Sequence, residues 1–190
     1  MTEKWSEAMI SRAIATQVFL RKHLVIVPNC YWPGSECDLL VVTPNLRIID
    51  VEVKIARSDL KADLRKDKWY HHWDFKIDGP RASGGEFERR RREWPAKVWK
   101  HYYAMPKEVW KPEFKGVISP ASGVILLERH MSGHISARPE HHAKPNRDAK
   151  TISPEDAVDI ARLASLRLWD AFQTIEDLRK WRAGAGTAMG

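Results

Sequence analysis

Three side chains between Glu36 and Asp63 have the types and spacing to do chemistry together: Asp38, Glu52 and Lys54. In a strand, alternate side chains share a face, so Asp50, Glu52 and Lys54 lie on one side while Val51, Val53 and Ile55 lie on the other. Asp38 opens the preceding apolar run, residues 39–42, and Thr43-Pro44-Asn45 between the runs has the residues of a hairpin turn. Pairing the two runs would bring Asp38 near Glu52 and Lys54. Two converging carboxylates repel unless a cation lies between them, and oxygen donors of this kind suit Mg²⁺ or Mn²⁺. A lysine beside such a cation could orient a water and offset charge building on a phosphate in the transition state. An exposed edge strand shows the same alternation, and a lone strand-end acid such as Asp38 also serves in turns.

The acid-x-Lys triplet occurs five times in the chain, so the triplet itself carries no signal. Only Glu52-Val53-Lys54 lies inside a β-branched apolar run, with an acid at the head of the previous run and a helical pattern directly after. Asp38 followed by Glu52-Val53-Lys54, with an N-terminal helix before and a basic helix after, resembles the PD-(D/E)XK nuclease superfamily over about residues 5–130. The resemblance implies an α/β fold with a restriction-endonuclease-like core, a mixed central sheet flanked by helices, here with extra C-terminal helices. Its core order is helix, three strands, helix and strand. It implies a Mg²⁺- or Mn²⁺-dependent endonuclease that hydrolyses DNA phosphodiester bonds, as in DNA repair or the processing of phage or mobile-element DNA. By that resemblance Asp38, Glu52 and the Val53 carbonyl hold the metal, Lys54 is the catalytic lysine, and Glu7 matches an acid that some members contribute from the first helix. Cys37, not the family's Pro, precedes Asp38, and Glu36 stands as a competing or additional acid. Many members dimerise, which makes a homodimer an expectation. A catalytically inactive nucleic-acid-binding protein and an RNA-directed nuclease are the rival readings.

Charge agrees with a polyanionic partner. The chain has 190 residues, with 32 Lys and Arg against 25 Asp and Glu, a formal +7. Residues 54–76 hold seven of the cations, and Arg89-Arg90-Arg91-Arg92 follows. Arg57, Lys61, Arg65, Lys68 and these four arginines are the expected nucleic-acid contacts. Several of the nine tryptophans, Trp69, Trp73, Trp94, Trp99 and Trp110, interleave with cations and could stack on bases or pack in the core. Trp169 and Trp181 read as packing residues. Cys30 and Cys37 form no disulfide framework or zinc pattern, and no run approaches the ~20 apolar residues of a membrane span. A soluble, intracellular protein is the expectation.

The positioning elements follow from periodicity. One domain is expected over residues 1–182, with a flexible basic insertion at 74–97 and a disordered tail at 183–190. Residues 5–22 read as an amphipathic helix and 24–27 as a short strand. Strands at 38–43 and 46–55 carry the acids, and Ser58 is placed to cap a helix from Asp59 to about Trp73. Strands follow at 100–104 and 123–128, with a short helix at 105–110 opened by Pro106. Residues 129–150 read as a loop or ragged hairpin. Ser153-Pro154-Glu155-Asp156 starts a helix to about Phe172 that packs through Ala161, Leu163, Ala164 and Leu168, and a second stretch reaches Trp181.

Overall fold

A computed structural model describes residues 4–20, 22–71 and 90–187. Arg89, Trp73, most of the expected basic insertion and the last three residues of the expected tail lie outside them. Ser6 starts helix α1 (Glu7–Ala13) by accepting a 3.3 Å hydrogen bond from Met9 N, with Glu7 in the first turn where an acid suits the helix dipole. A π-helical turn, Ile14–Val18, continues it, and the helix ends at Phe19, short of residue 22.

The strands are β1 (Val25–Cys30), β2 (Cys37–Val42), β3 (Ile48–Val53), β4 (Lys100–Pro106), β5 (Gly123–Arg129) and β6 (Ile135–His141). They form one mixed sheet in chain order: β1–β2–β3 is antiparallel, β3, β4 and β5 run parallel, and β6 returns antiparallel. The protein is therefore α/β, with helix α2 (Arg57–Asp63) in the crossover from β3 to β4 and a long helix α3 (Pro154–Thr187) after the sheet. The loop or ragged hairpin expected at 129–150 contains β6, paired with β5. None of the described helices is long and apolar enough to cross a membrane.

Every residue of β3 is buried because the strand is central and covered on both faces. On one face Val51 and Val53 join Leu39, Val41, Tyr102 and Ala104 beneath Ile10 and Ala13 of α1 and Ile14 of the π-helical turn. The other face carries two apolar clusters. One joins Leu40, Val42 and Ile48 to Ile160 of α3, and the other joins Tyr103, Met105 and Leu126 to Leu60 of α2 and to Trp69. Between these clusters, at the neighbouring pairs Asp50–His101 and Glu52–Tyr103 of β3 and β4, the sheet carries buried polar side chains.

Three further elements depart from the sequence expectation. The helix after β3 begins at Arg57 and stops after Asp63, not at Trp73, and Ser58 does not cap it. The Asp59 carboxylate instead accepts from Ala56 N at 2.9 Å. Lys66 turns extended, a short 3₁₀ turn (Asp67–Trp69) follows, and this lets Trp69 bury completely while Lys68 points inward. No helix starts at Pro106, because parallel pairing carries β4 through Met105↔Leu126 and Pro106↔Leu127. A 3₁₀ turn forms later, at Pro112–Gly116. The C-terminal helix is a single element without a break at Phe172, and it extends to Thr187, into the stretch expected as a tail. Its expected packing residues Leu163, Leu168, Trp169 and Trp181 are exposed; Ile160 is the residue it buries.

Candidate catalytic site

The β2–β3 ladder closes at Leu39↔Val51, and beyond it the two strands part. There Val53 N donates to Asp38 Oδ2 at 2.7 Å, so the Asp38 side chain replaces a strand partner and is fixed at the gap. Lys54 follows the end of β3, and its backbone N donates to Ala104 O of β4 at 2.9 Å. Its ammonium lies 2.6 Å from Glu52 Oε2, 3.3 Å from Asp63 Oδ1 and 3.8 Å from Asp38 Oδ2. The expected trio of Asp38, Glu52 and Lys54 is thus brought together, with a fourth member, Asp63, from the end of α2.

Two more lysines complete the cluster. Lys68 Nζ lies 2.6 Å from Glu52 Oε1 and 3.6 Å from Asp63 Oδ1, and Lys66 Nζ lies 3.1 Å from Asp63 Oδ1 and 3.6 Å from Glu52 Oε2. Both Glu52 oxygens are therefore held by ammonium groups. Asp63 is further anchored by Tyr103 OH at 2.8 Å and Trp69 Nε1 at 3.2 Å, both donating to Oδ2. Burial alone would push the Asp63 carboxyl up, but Lys68, Lys54 and the Tyr103 hydrogen bond outweigh it and hold the acid well below the usual carboxylate range. Burial first, then the Asp63 charge, keeps Tyr103 protonated far above its ordinary value. The Asp38 carboxyl is pushed up by burial and by Glu52, with a smaller push from Glu7.

Asp50 lies deeper. Both of its carboxylate oxygens are buried, with the Cys37 thiol as a hydrogen-bonding neighbour that favours the charged form, and Lys68 Nζ and His101 Nε2 each stop 3.9 Å from Oδ2. Burial raises its acid to about 7, with Glu52 and Asp63 adding to the rise and Lys68 opposing it. Burial and Lys68 together keep His101 neutral, and its Nδ1 shares a 2.9 Å hydrogen bond with Ser122 Oγ. When Asp50 keeps its proton, the charges of Asp38, Glu52 and Asp63 balance those of Lys54, Lys66 and Lys68.

The cluster reaches solvent through Asp38, whose side chain is 21% exposed, and Lys66, whose side chain is 50% exposed. A cleft of about 490 Å³ lined by Tyr31, Glu36, Lys66, Lys68 and Arg92 leads to it. Glu36 is exposed on that cleft and pairs with no member of the cluster, and Glu7 is exposed in the first turn of α1. Among the described residues no three His, Cys, Asp or Glu side chains stand together so as to hold a metal ion. The donor chemistry nonetheless fits Mg²⁺, which commonly takes one or two carboxylates and fills its remaining positions with water and substrate phosphate. The Lys54 ammonium marks a place between Asp38 and Glu52 where positive charge is already stabilised.

The expected nucleic-acid contacts divide. Lys61 is exposed on α2, and Arg65 is exposed in the turn that follows it. Arg57 donates to Glu108 O at 2.9 Å and Val109 O at 3.2 Å, tying α2 to the segment after β4. Lys68 is not on a surface groove: its side chain is 3% exposed and is spent on the cluster. Arg90 and Arg92 pair through their backbones with His71 and Trp69, and Arg91 Nη2 donates to Val117 O at 3.3 Å. Sequence reasoning missed Asp63 as a site residue. The available signal was a charged residue three positions after Leu60, on the stripe by which α2 packs.

No family model and no curated protein matches this chain. A solved structure, a protein of unknown function from Silicibacter pomeroyi, is similar to it with a TM-score of 0.54 and 14% identity, covering 93% of this chain and 96% of that one. That likeness is one of fold.

Proposed function

We propose that this protein is a Mg²⁺- or Mn²⁺-dependent nuclease that hydrolyses phosphodiester bonds in DNA, with its site at Asp38, Glu52 and Lys54. The observation that carries the reading is the Lys54 ammonium, 2.6 Å from Glu52 and 3.8 Å from Asp38, at the point where β2 and β3 part. The element order α1, β1–β3, α2, β4 supports it, being the order expected of a restriction-endonuclease-like core. Asp38, Glu52 and the Val53 carbonyl would hold the metal, which when bound supplies Lewis acidity and a water of lowered pKa.

The chain's own groups do the rest. Lys54, beside Glu52 and Asp38, would direct a proton of the attacking water or of a phosphate oxygen and offset negative charge there. Asp63 stays anionic and, held by Tyr103 and Trp69, fixes where the lysine head groups can go. Lys66, half exposed at the rim, meets the phosphate backbone, and Arg65 in the turn after α2 and Lys61 on α2 extend that contact.

The test is cleavage of supercoiled plasmid, single-stranded circular DNA and an RNA of the same sequence, with and without Mg²⁺ or Mn²⁺. Lys54→Gln, which can still donate to Glu52, serves as control, with its fold checked by circular dichroism. Metal-dependent DNA cleavage that falls by ~10²–10³ in the variant is expected. Cleavage unchanged in Lys54→Gln would refute the site assignment, and faster cleavage of the RNA would move the substrate class.

The second reading, a nucleic-acid-binding protein without catalysis, is favoured by one observation: both oxygens of fully buried Glu52 are capped by ammonium groups. It predicts salt-sensitive DNA binding with no metal-dependent cleavage.

A further inference from the structure

We infer that a second cleft, lined by Trp32 and Trp94 and joined to the candidate catalytic site, binds an unpaired nucleobase, so that the substrate class is DNA with a single-stranded segment. The inference rests on the nuclease reading for what is cut, and adds which form of DNA presents the phosphate.

The cleft has a volume of about 830 Å³ and shares Arg92 and Ala96 with the cleft that leads to Lys66, Lys68 and the buried carboxylates. A volume of that size is typical of sites for small molecules, so it admits a splayed-out base and not a duplex. Its walls are tied to the body of the protein. Asn146 N donates to Trp99 O at 2.7 Å, Arg47 Nη1 to Ala149 O at 2.9 Å and Ile152 N to Leu46 O at 2.8 Å, while Arg92 N donates to Trp69 O at 2.7 Å. A wall formed in advance lowers the ordering cost of binding.

Aromatic rings, matched charges and one unpaired donor select the occupant. Trp94 is half-buried, its Nε1 donates to Lys144 O at 3.0 Å, and among the described residues it joins none of the three apolar clusters. A ring fixed by its polar edge and left out of the core is placed to stack on a base. Trp32 is also half-buried, packs partly on the cluster around Ile160, and has the Lys97 ammonium 5.2 Å from its ring centroid. On the wall Arg91, Lys97 and Lys150 are matched in number by Glu93, Asp148 and Asp156, which suits a neutral heteroaromatic group and not a run of phosphates. The cation left over is Arg92, whose Nε is buried with no hydrogen-bond partner. A buried donor left unpaired is costly, and a phosphate oxygen would satisfy it with a charge-assisted hydrogen bond. Arg92 stands where the two clefts meet, so a base stacked on the tryptophans puts its phosphate there and sends the strand on toward Lys66. In a duplex the base faces are covered by neighbouring pairs, and only an unpaired base makes this contact.

The test is binding of a fluorescein-labelled single-stranded DNA of about 12 nucleotides, followed by anisotropy in EDTA at fixed salt, with a blunt duplex and an RNA of the same sequence as competitors. The variants are Trp94→Ala, Trp94→Phe, Arg92→Gln and, as a control for lost charge, Arg179→Gln on the exposed part of α3. Arg92→Gln breaks no hydrogen bond at Nε, so it keeps the fold, and circular dichroism checks the Trp94 variants. We expect the single strand to bind at least ~10-fold more tightly than the duplex, and Trp94→Ala and Arg92→Gln each to weaken it by ~10-fold, with Trp94→Phe and Arg179→Gln close to wild type. A duplex bound as tightly as the single strand, or single-strand affinity unchanged in Trp94→Ala or in Arg92→Gln, would overturn the inference. An equal loss in Arg179→Gln, or in Trp94→Phe, would also overturn it, and so would tighter binding of the RNA. EDTA silences metal-dependent cleavage, so each of these failures leaves the nuclease reading standing; absence of plasmid cleavage would sink that reading without altering the measured preference.

Discussion

Replacing Lys68 by Met removes the ammonium, which also lies 5.5 Å from the centroid of the Trp69 ring, and keeps an unbranched apolar side chain in its place. It takes a cation from 2.6 Å of Glu52, 3.6 Å of Asp63 and 3.9 Å of Asp50, three carboxyl groups with no exposed surface. At an effective dielectric constant of about 20, the attractions to Glu52 and Asp63 are worth roughly 4–6 kcal/mol gross each, and the attraction to Asp50 adds to them only where Asp50 has lost its proton. The desolvation of the lysine, several kcal/mol, is recovered when it leaves, so the gross sum overstates the loss. Removing one partner of a buried ion cluster has a net cost of about 3–5 kcal/mol, because the remaining charges stay buried. At about 2–4 °C per kcal/mol for a chain of this size, thermal unfolding followed by circular dichroism at pH 7 should fall by roughly 6–20 °C. The comparison is Lys66→Met. Lys66 touches two of the same acids, but its side chain is 50% exposed, so water screens what is lost and the cost is about 0–1 kcal/mol. Its Tm should fall by less than about 4 °C. Equal shifts for the two variants, or a Lys68→Met shift under about 4 °C, would refute the claim that the buried lysine neutralises the carboxylates.

Asp50 should give the cluster a pH signature. Its folded acid, raised to about 7, lies above the ~3.9 of an unfolded Asp, so its contribution to stability is complete below about pH 4 and is lost as pH rises through 7. Asp50→Asn lacks that titration, so wild type should lose ground relative to the variant between pH 4.5 and 8, by on the order of 4 kcal/mol in all; parallel Tm profiles would contradict it. Gly123, at the start of β5, is a packing requirement. A Cβ there would run into the Tyr102 ring and come within 2.6 Å of Ala143 N, so Gly123→Ala should cost about 1–3 kcal/mol, read as a lower urea midpoint at unchanged slope. An unchanged midpoint would show that β4 and the segment after β6 yield more easily than their packing implies.

The strands that carry the acids were legible because their apolar runs are β-branched and broken by turn residues. The alternation of Asp50, Glu52 and Lys54 then required the shared face observed. What local pattern could not supply was the competition after β3. Residues 59–73 have helical composition, yet burying Trp69 and turning Lys68 toward Glu52 requires the extended geometry at Lys66 that ends the helix. Tertiary contacts overrode propensity there, as they did at Pro106, where pairing with β5 extended a strand through a residue that commonly opens helices. The role of Asp63 was hidden because its partners, Tyr103 and Trp69, come from other elements. In α3 the apolar spacing predicts a packing face, whereas Trp169 and Trp181 are exposed.

Asp38→Asn isolates the carboxylate fixed at the gap between β2 and β3. The amide oxygen of Asn can still accept from Val53 N, and the side chain lies at the open edge of the cluster, so the fold should be kept while one of the two charges proposed to hold the metal is lost. The measurement is plasmid cleavage over a Mg²⁺ and Mn²⁺ titration, with DNA affinity measured in parallel. Cleavage lower by ~10²-fold or more with DNA binding retained is the predicted result. Cleavage at the wild-type rate and the wild-type metal concentration would contradict the assignment of this site.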